Sequence, residues 1–156
     1  MIRKLVTLAL ASAALAAAAP ATIPTFSLPD LAGKAHASSE FAGKPVLIDF
    51  WATWCATCKE SVPEIAKIKE KFAAKGLQIV SISVDKGAPA KVEKGAKKLG
   101  ITWQILCDPE SSQSTAFGYT GVPSLYLFDA TGKLVTNITG FDPAQEAALE
   151  AAIAKL

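Results

Sequence analysis

The chain has 156 residues, 51% hydrophobic and 19% charged, with 16 basic and 14 acidic side chains, a length and apolar content that fit one compact core of ordinary size. The basic excess sits in Arg3 and Lys4; beyond them lysines and acids balance and there is no arginine, a composition that excludes nucleic-acid binding as a main role. Three cysteines, Cys55, Cys58 and Cys107, are too few for a disulfide scaffold, and an odd number cannot pair fully within the chain.

The opening "MIRKLVTLALASAALAAAAPATIP" has a basic head, an apolar stretch and a small-residue end, the layout of a secretory signal peptide. The apolar stretch is shorter than the roughly 20 residues that span a bilayer, so residues 1–21 are read as a cleaved signal, with an uncleaved anchor as the alternative. Residues 22–156 are then a single exported domain. No cysteine follows the apolar stretch to carry a lipid. Residues 22–44 hold short apolar pieces around "PDLAGK", which predicts a small β-hairpin. "PVLIDFWA" (45–52) is apolar apart from Asp49, the pattern of a strand covered on both faces. From Ala56 to about Lys75 the residues Val62, Ile65, Ile68 and Phe72 keep helical spacing, with Pro63 expected to kink the helix and Gly76 to end it.

"LQIVSISVD" (77–85) predicts the next buried strand. "APAKVEKGAKKLG" predicts a helix with Val92, Ala96 and Leu99 inward, and "ITWQIL" (101–106) a short strand. "ESSQSTAFG" is a weak helical turn, and two strands flank "DATGK" as a hairpin. Asp142, Pro143 and Gln145 start the last helix as cap, first-turn proline and third-position amide, with Leu149, Ile153 and Leu156 as its inner stripe. The order implies an α/β fold with a central mixed sheet flanked by helices.

The stretch "DFWATWCATCK" at the end of a buried strand and the start of a helix, with "GVPS" (121–124) before the hairpin, resembles the thioredoxin superfamily. The lead-in "FSLPDLAGKAHASSEFAGKPVLIDFWATWC" and the extra helix-strand insert at 87–106 resemble, more narrowly, exported thiol-disulfide oxidoreductases of the TlpA/ResA type. The resemblance implies a thioredoxin-like fold with the N-terminal hairpin and the insert added. Physical chemistry supports the same site. A cysteine at the first turn of a helix meets unpaired N–H groups and the positive end of the helix dipole, which favour the thiolate. Cys55 is therefore expected as the exposed nucleophile, and Cys58, three residues on along the same helix side, as the buried resolving thiol. Two small core residues are the bland alternative.

Asp49, six residues before Cys55 in an apolar strand, is expected to have a raised pKa. The resemblance gives it proton transfer to and from the resolving cysteine; a carboxylate satisfied by backbone donors is the structural alternative. Thioredoxin itself has a lysine opposite this acid, and the aligned position here is Ser81. "GVPS" matches the superfamily's cis-proline loop, which implies a cis bond at Val122-Pro123 and backbone contacts to substrate. Trp51 and Trp54 resemble the site's aromatic flank, although either could fill core or surface. Ser61 stands where many relatives in cytochrome c maturation have a glutamate, and Ala56-Thr57 lacks the proline common before the second cysteine.

Two rivals compete. A peroxiredoxin would need a threonine three residues before the reactive cysteine and a distant arginine, but Ala52 holds that position, Thr53 is one place late, and residues 22–156 contain no arginine. A metal carrier would need two further ligands beside the dithiol, and Cys107 and His36 are the remaining N or S donors. His36 reads as a solvated turn residue, Cys107 as a small packing residue, and the lysines at 86, 91, 94, 97 and 98 as a solvated face. No cofactor is expected. The resemblance implies protein disulfides as substrates for a monomer recharged by an integral-membrane electron donor in the periplasm.

Overall fold

The computed structural model describes residues 18–156; the expected signal segment falls largely outside the described residues. A short hairpin leads in, β1 (Ser27–Pro29) pairing antiparallel with β2 (Ala35–Ala37). Its turn is closed by the Asp30 carboxylate, which accepts the N–H groups of Ala32 and Lys34 at 2.9 Å each. Gly33 takes φ of 85° there, a left-handed conformation that costs glycine little.

The main sheet is mixed and five-stranded, in the order β5-β4-β3-β6-β7. Its strands are β3 (Val46–Trp51), β4 (Gln78–Ser83), β5 (Gln104–Cys107), β6 (Ser124–Phe128) and β7 (Leu134–Thr139). β3 runs parallel to β4 and antiparallel to β6, so it is the strand with a partner on each side at the centre, and all six of its residues are buried. The helices are α1 (Ala56–Lys71), α2 (Pro89–Leu99), the short α3 (Ser114–Phe117) and α4 (Pro143–Ala154). α1 is one continuous span with Pro63 inside it.

Alternation along β3 sends its residues to two packed layers. On one side Leu47 meets Ile65 and Ile68 of α1, Leu125 and Leu127 of β6, and Leu149 and Ile153 of α4; α2 lies beside α1. On the other side Phe50 packs edge-on against Phe117 of α3, with ring centroids 4.9 Å apart, and Phe117 bridges to Phe26 of the lead-in and to Tyr126. Fully buried aromatics of this kind dominate core energetics.

Four local expectations differ from what forms. The strand expected at 101–106 begins at Gln104 and takes in Cys107, because residues 101–103 carry the chain from α2 back to the sheet and Trp103 spends its indole N–H on Ser81. Leu156 is 37% exposed, since α4 ends at Ala154 and the inner stripe stops at Ile153. Asp142 caps α4 through Ala144 and Gln145 N–H, but the Gln145 amide donates to the Thr139 carbonyl instead of returning to the cap. His36 is no solvated turn residue: it lies in β2 with a side chain 12% exposed, its Nε2 3.1 Å from Asp30 Oδ2 and its Nδ1 2.8 Å from Glu40 Oε2.

Hydrogen bonds that the imidazole donates to Glu40 and Asp30 raise the His36 pKa above its ordinary value, and His36 in turn lowers both carboxyls. A folded-state value above the unfolded one means that the stabilisation is complete below the unfolded imidazole pKa and is lost as pH rises through the raised value. Urea denaturation of wild type and His36→Gln should therefore show the largest stability gap near about pH 5.5 and a smaller one by about pH 9.

Candidate active site

β3 ends at Trp51, and the chain turns at once into α1. The turn closes when Cys55 N–H donates to the Ala52 carbonyl at 3.2 Å. Cys55 is the N-cap of α1 in extended conformation, and its sulfur accepts the Cys58 N–H at 3.1 Å. The sulfur occupies the place that a serine or aspartate oxygen takes in an ordinary cap, so one of the orphan donors at the helix start points at it. That arrangement and the helix dipole favour a thiolate on Cys55 once the dithiol is reduced.

Cys55 and Cys58 form a disulfide. Cys58 is wholly buried and Cys55 is 6% exposed, so the accessibility order is the expected one, while Cys55 is far less open than expected. The loop before β6 covers it: the Val122 carbonyl oxygen lies 3.6 Å from Cys55 Sγ, and the Val122-Pro123 bond is cis. Trp54, 63% exposed, projects beside the dithiol. With Val122, Thr120, Lys86 and Lys91 it lines a groove of ≈ 720 Å³. Trp51 is instead a core residue, fully buried.

Asp49 shares a face of β3 with Leu47 and Trp51, two positions to either side, and so faces the α1 side of the sheet. It is completely buried; Ser81 Oγ donates to Oδ2 at 3.0 Å, and Oδ1 meets no donor among the described residues. Burial pushes the Asp49 carboxyl up to about 7, opposed in part by the Ser81 hydrogen bond. Trp103 Nε1–H donates to Ser81 Oγ at 2.8 Å, which fixes the hydroxyl's direction toward the acid. Ser61, also buried, donates to the Cys58 carbonyl at 3.1 Å.

Cys107 is buried and free at the end of β5, its thiol pKa raised chiefly by burial. Among the described residues no cluster of three or more metal-ligating side chains forms, so Cys107 and His36 do not gather at the dithiol. Sequence reasoning missed Asp85, whose buried carboxylate holds Thr53 and pairs with Lys91 at 3.1 Å. Lys91 stays on the solvated face, its side chain 55% exposed, while its ammonium reaches in to Asp85. The one signal was an acid closing the apolar "SISVD", and an acid at a strand end is too common to mark a site.

A buried cysteine pair capping the first helix after a central strand, beside a cis-proline loop, defines a thioredoxin-fold dithiol protein. The redoxin family model matches residues 18–153, and the chain belongs to that family. It is 34% identical over 126 residues to the thiol-disulfide oxidoreductase ResA of Geobacillus thermodenitrificans, covering 80% of this chain and 71% of that protein. ResA of Geobacillus kaustophilus is 33% identical over the same coverage. A crystal structure from Chlorobium tepidum, provisionally assigned as the thiol:disulfide interchange protein DsbE, superposes with a TM-score of 0.81 at 30% identity, over 88% of this chain and 96% of that one.

The raised Asp49 value makes a stability prediction. The unfolded chain ionises this acid near its ordinary pKa of 3.8 and the folded one only near about 7, so wild-type stability should fall as pH rises across that window and level off above it, by on the order of a few kcal/mol. Denaturation of the oxidised protein should show this slope, and Asp49→Asn should lack it. Cys107→Ala should lose about 1 kcal/mol of stability and keep insulin-disulfide reduction.

Proposed function

We propose that the protein is an exported thiol-disulfide oxidoreductase that reduces protein disulfides through Cys55 and Cys58. The observation that carries the reading is the Cys55 sulfur seated on the α1 start, with the Cys58 N–H 3.1 Å away and Cys58 already bonded to it.

The Cys55 thiolate attacks one sulfur of a substrate disulfide, forming a mixed disulfide and expelling the other sulfur as a thiolate, which takes up a proton. Cys58, deprotonated, then attacks Cys55 Sγ; the Cys55–substrate bond breaks, the second substrate thiol leaves, and the Cys55–Cys58 disulfide forms. Two electrons pass to the substrate in each cycle. Asp49 is the base for Cys58: its pKa of about 7 matches proton transfer near neutral pH. Trp54 and the backbone at Val122 and Pro123 hold the substrate segment against Cys55. Residues 1–21 direct export to the periplasm, residues 22–156 form the working domain, and the monomer is recharged by a membrane-embedded dithiol donor.

The residue set disfavours peroxide chemistry. Ala52 stands three residues before Cys55, Thr53 is committed to Asp85, and residues 22–156 carry no arginine to polarise a peroxide.

Expression of Cys58→Ser in the native compartment should accumulate partner-linked adducts that a reductant dissolves, whereas Cys55→Ser should form none. Adducts on Cys55→Ser alone would reverse the two roles. Asp49→Asn should slow resolution of a preformed mixed disulfide by about 10-fold near neutral pH. That defect should shrink at high pH, where Cys58 ionises unaided; equal rates at every pH would remove Asp49 from the proton path.

A further inference from the structure

β3 and β4 run as a parallel ladder up to the pair Trp51 and Ser83, and Val84 N–H still reaches the Trp51 carbonyl at 2.9 Å. A continued ladder would next bring the Thr53 N–H to the Val84 carbonyl. Instead that N–H donates to Asp85 Oδ2 at 2.7 Å, and the Thr53 hydroxyl donates to Oδ1 at 2.6 Å. Ser83 Oγ donates to Oδ2 at 3.0 Å, and Lys91 Nζ from α2 lies 3.1 Å from Oδ1. The Asp85 side chain is 1% exposed; a carboxylate so enclosed persists when donors fill its lone pairs, and bonds to a charged acceptor are the strong ones.

Thr53 is gripped from its other side too. A Cβ placed on Gly95 of α2 would stand 2.5 Å from Thr53 Cγ2, so helix and methyl approach as closely as glycine allows. Thr53 is the second residue of the turn that Cys55 N–H closes onto Ala52.

We propose that Asp85 is a positioning residue for the attacking thiol: with Gly95 it clamps Thr53 and so fixes the turn that delivers Cys55 to the start of α1. A turn free to shift would carry Cys55 Sγ away from the Cys58 N–H and the helix end, and both favour the thiolate. The inference rests on Cys55 being the attacking thiol.

The test is the pH profile of iodoacetamide alkylation of the reduced protein, with the modified cysteine mapped by mass spectrometry and folding checked by circular dichroism. Thr53→Val and Gly95→Ala both leave the Asp85 charge in place. In each, alkylation of Cys55 near neutral pH should fall about fivefold and the profile should move to higher pH. Thr53→Ser, which keeps the hydroxyl bond to Asp85 and lacks the Cγ2 that Gly95 meets, should fall between wild type and Thr53→Val and should relieve Gly95→Ala when the two are combined. Folded Thr53→Val and Gly95→Ala proteins with profiles superimposed on wild type would overturn the clamp and leave Asp85 a purely structural acid. Alkylation of wild type at Cys58 ahead of Cys55 would overturn the nucleophile assignment itself, so the two failures are told apart.

Discussion

The first N–H groups of an α-helix have no carbonyl to meet inside the helix, and what satisfies them decides what the helix start can do. In α1 one of them is given to sulfur, through Cys58 N–H and Cys55 Sγ. That single contact sets demands on the rest of the chain. The helix must begin at Cys55, so β3 must stop at Trp51 and turn within a few residues. The turn must be held from outside, because an isolated four-residue turn does not keep one geometry. The second sulfur of the pair must lie inward, which places Cys58 on the stripe that α1 buries with Val62, Ile65 and Ile68.

β3 meets the first demand by being enclosed. With β4 and β6 on its flanks and packed layers on both faces, it has no freedom to slide, and a one-residue slip would carry Asp49 and Trp51 to the opposite face. The enclosure has a consequence for charge. Asp49 and Asp85 are both buried acids at neighbouring strands, yet their environments push them apart. Among the described residues Asp49 has one donor, Ser81, and burial wins, raising its pKa to about 7. Asp85 collects Thr53 twice, Ser83 and Lys91, and these bonds together outweigh desolvation and lower it. One carboxyl is thereby suited to move a proton and the other to hold a fixed charge and a fixed geometry.

Ser81, which pairs with Asp49 across β3 and β4, fits the same logic. A neutral hydroxyl, oriented by Trp103, gives Asp49 a hydrogen bond without an opposing charge, so desolvation sets its titration. The groove beside the dithiol combines the exposed face of Trp54 with the loop at Val122, and Lys86, Lys91, Ser111 and Thr120 also line it.

Much of this could be read from the chain before any coordinates. The apolar runs at 45–52 and 77–85, the helical spacing of Val62, Ile65 and Ile68, the turn residues of the hairpins and the Asp142 cap are local signals, and each reports a local energy. The dithiol was legible for the same reason: the spacing of Cys55 and Cys58 and their place at a strand-to-helix junction lie within a dozen residues. Tertiary structure decided what depends on distant partners. Whether Cys55 stands open or covered was settled by Val122, 67 positions away; whether His36 is solvated, by how the hairpin folds Asp30 and Glu40 around it. The link from Asp85 to Thr53 spans 32 positions, and the close fit of Gly95 against that threonine has no pattern in sequence at all. Hydrophobic periodicity records which face of an element is buried, because that repeats along the chain; which polar groups meet in the interior is fixed by how the elements pack, and that information is carried by no single segment.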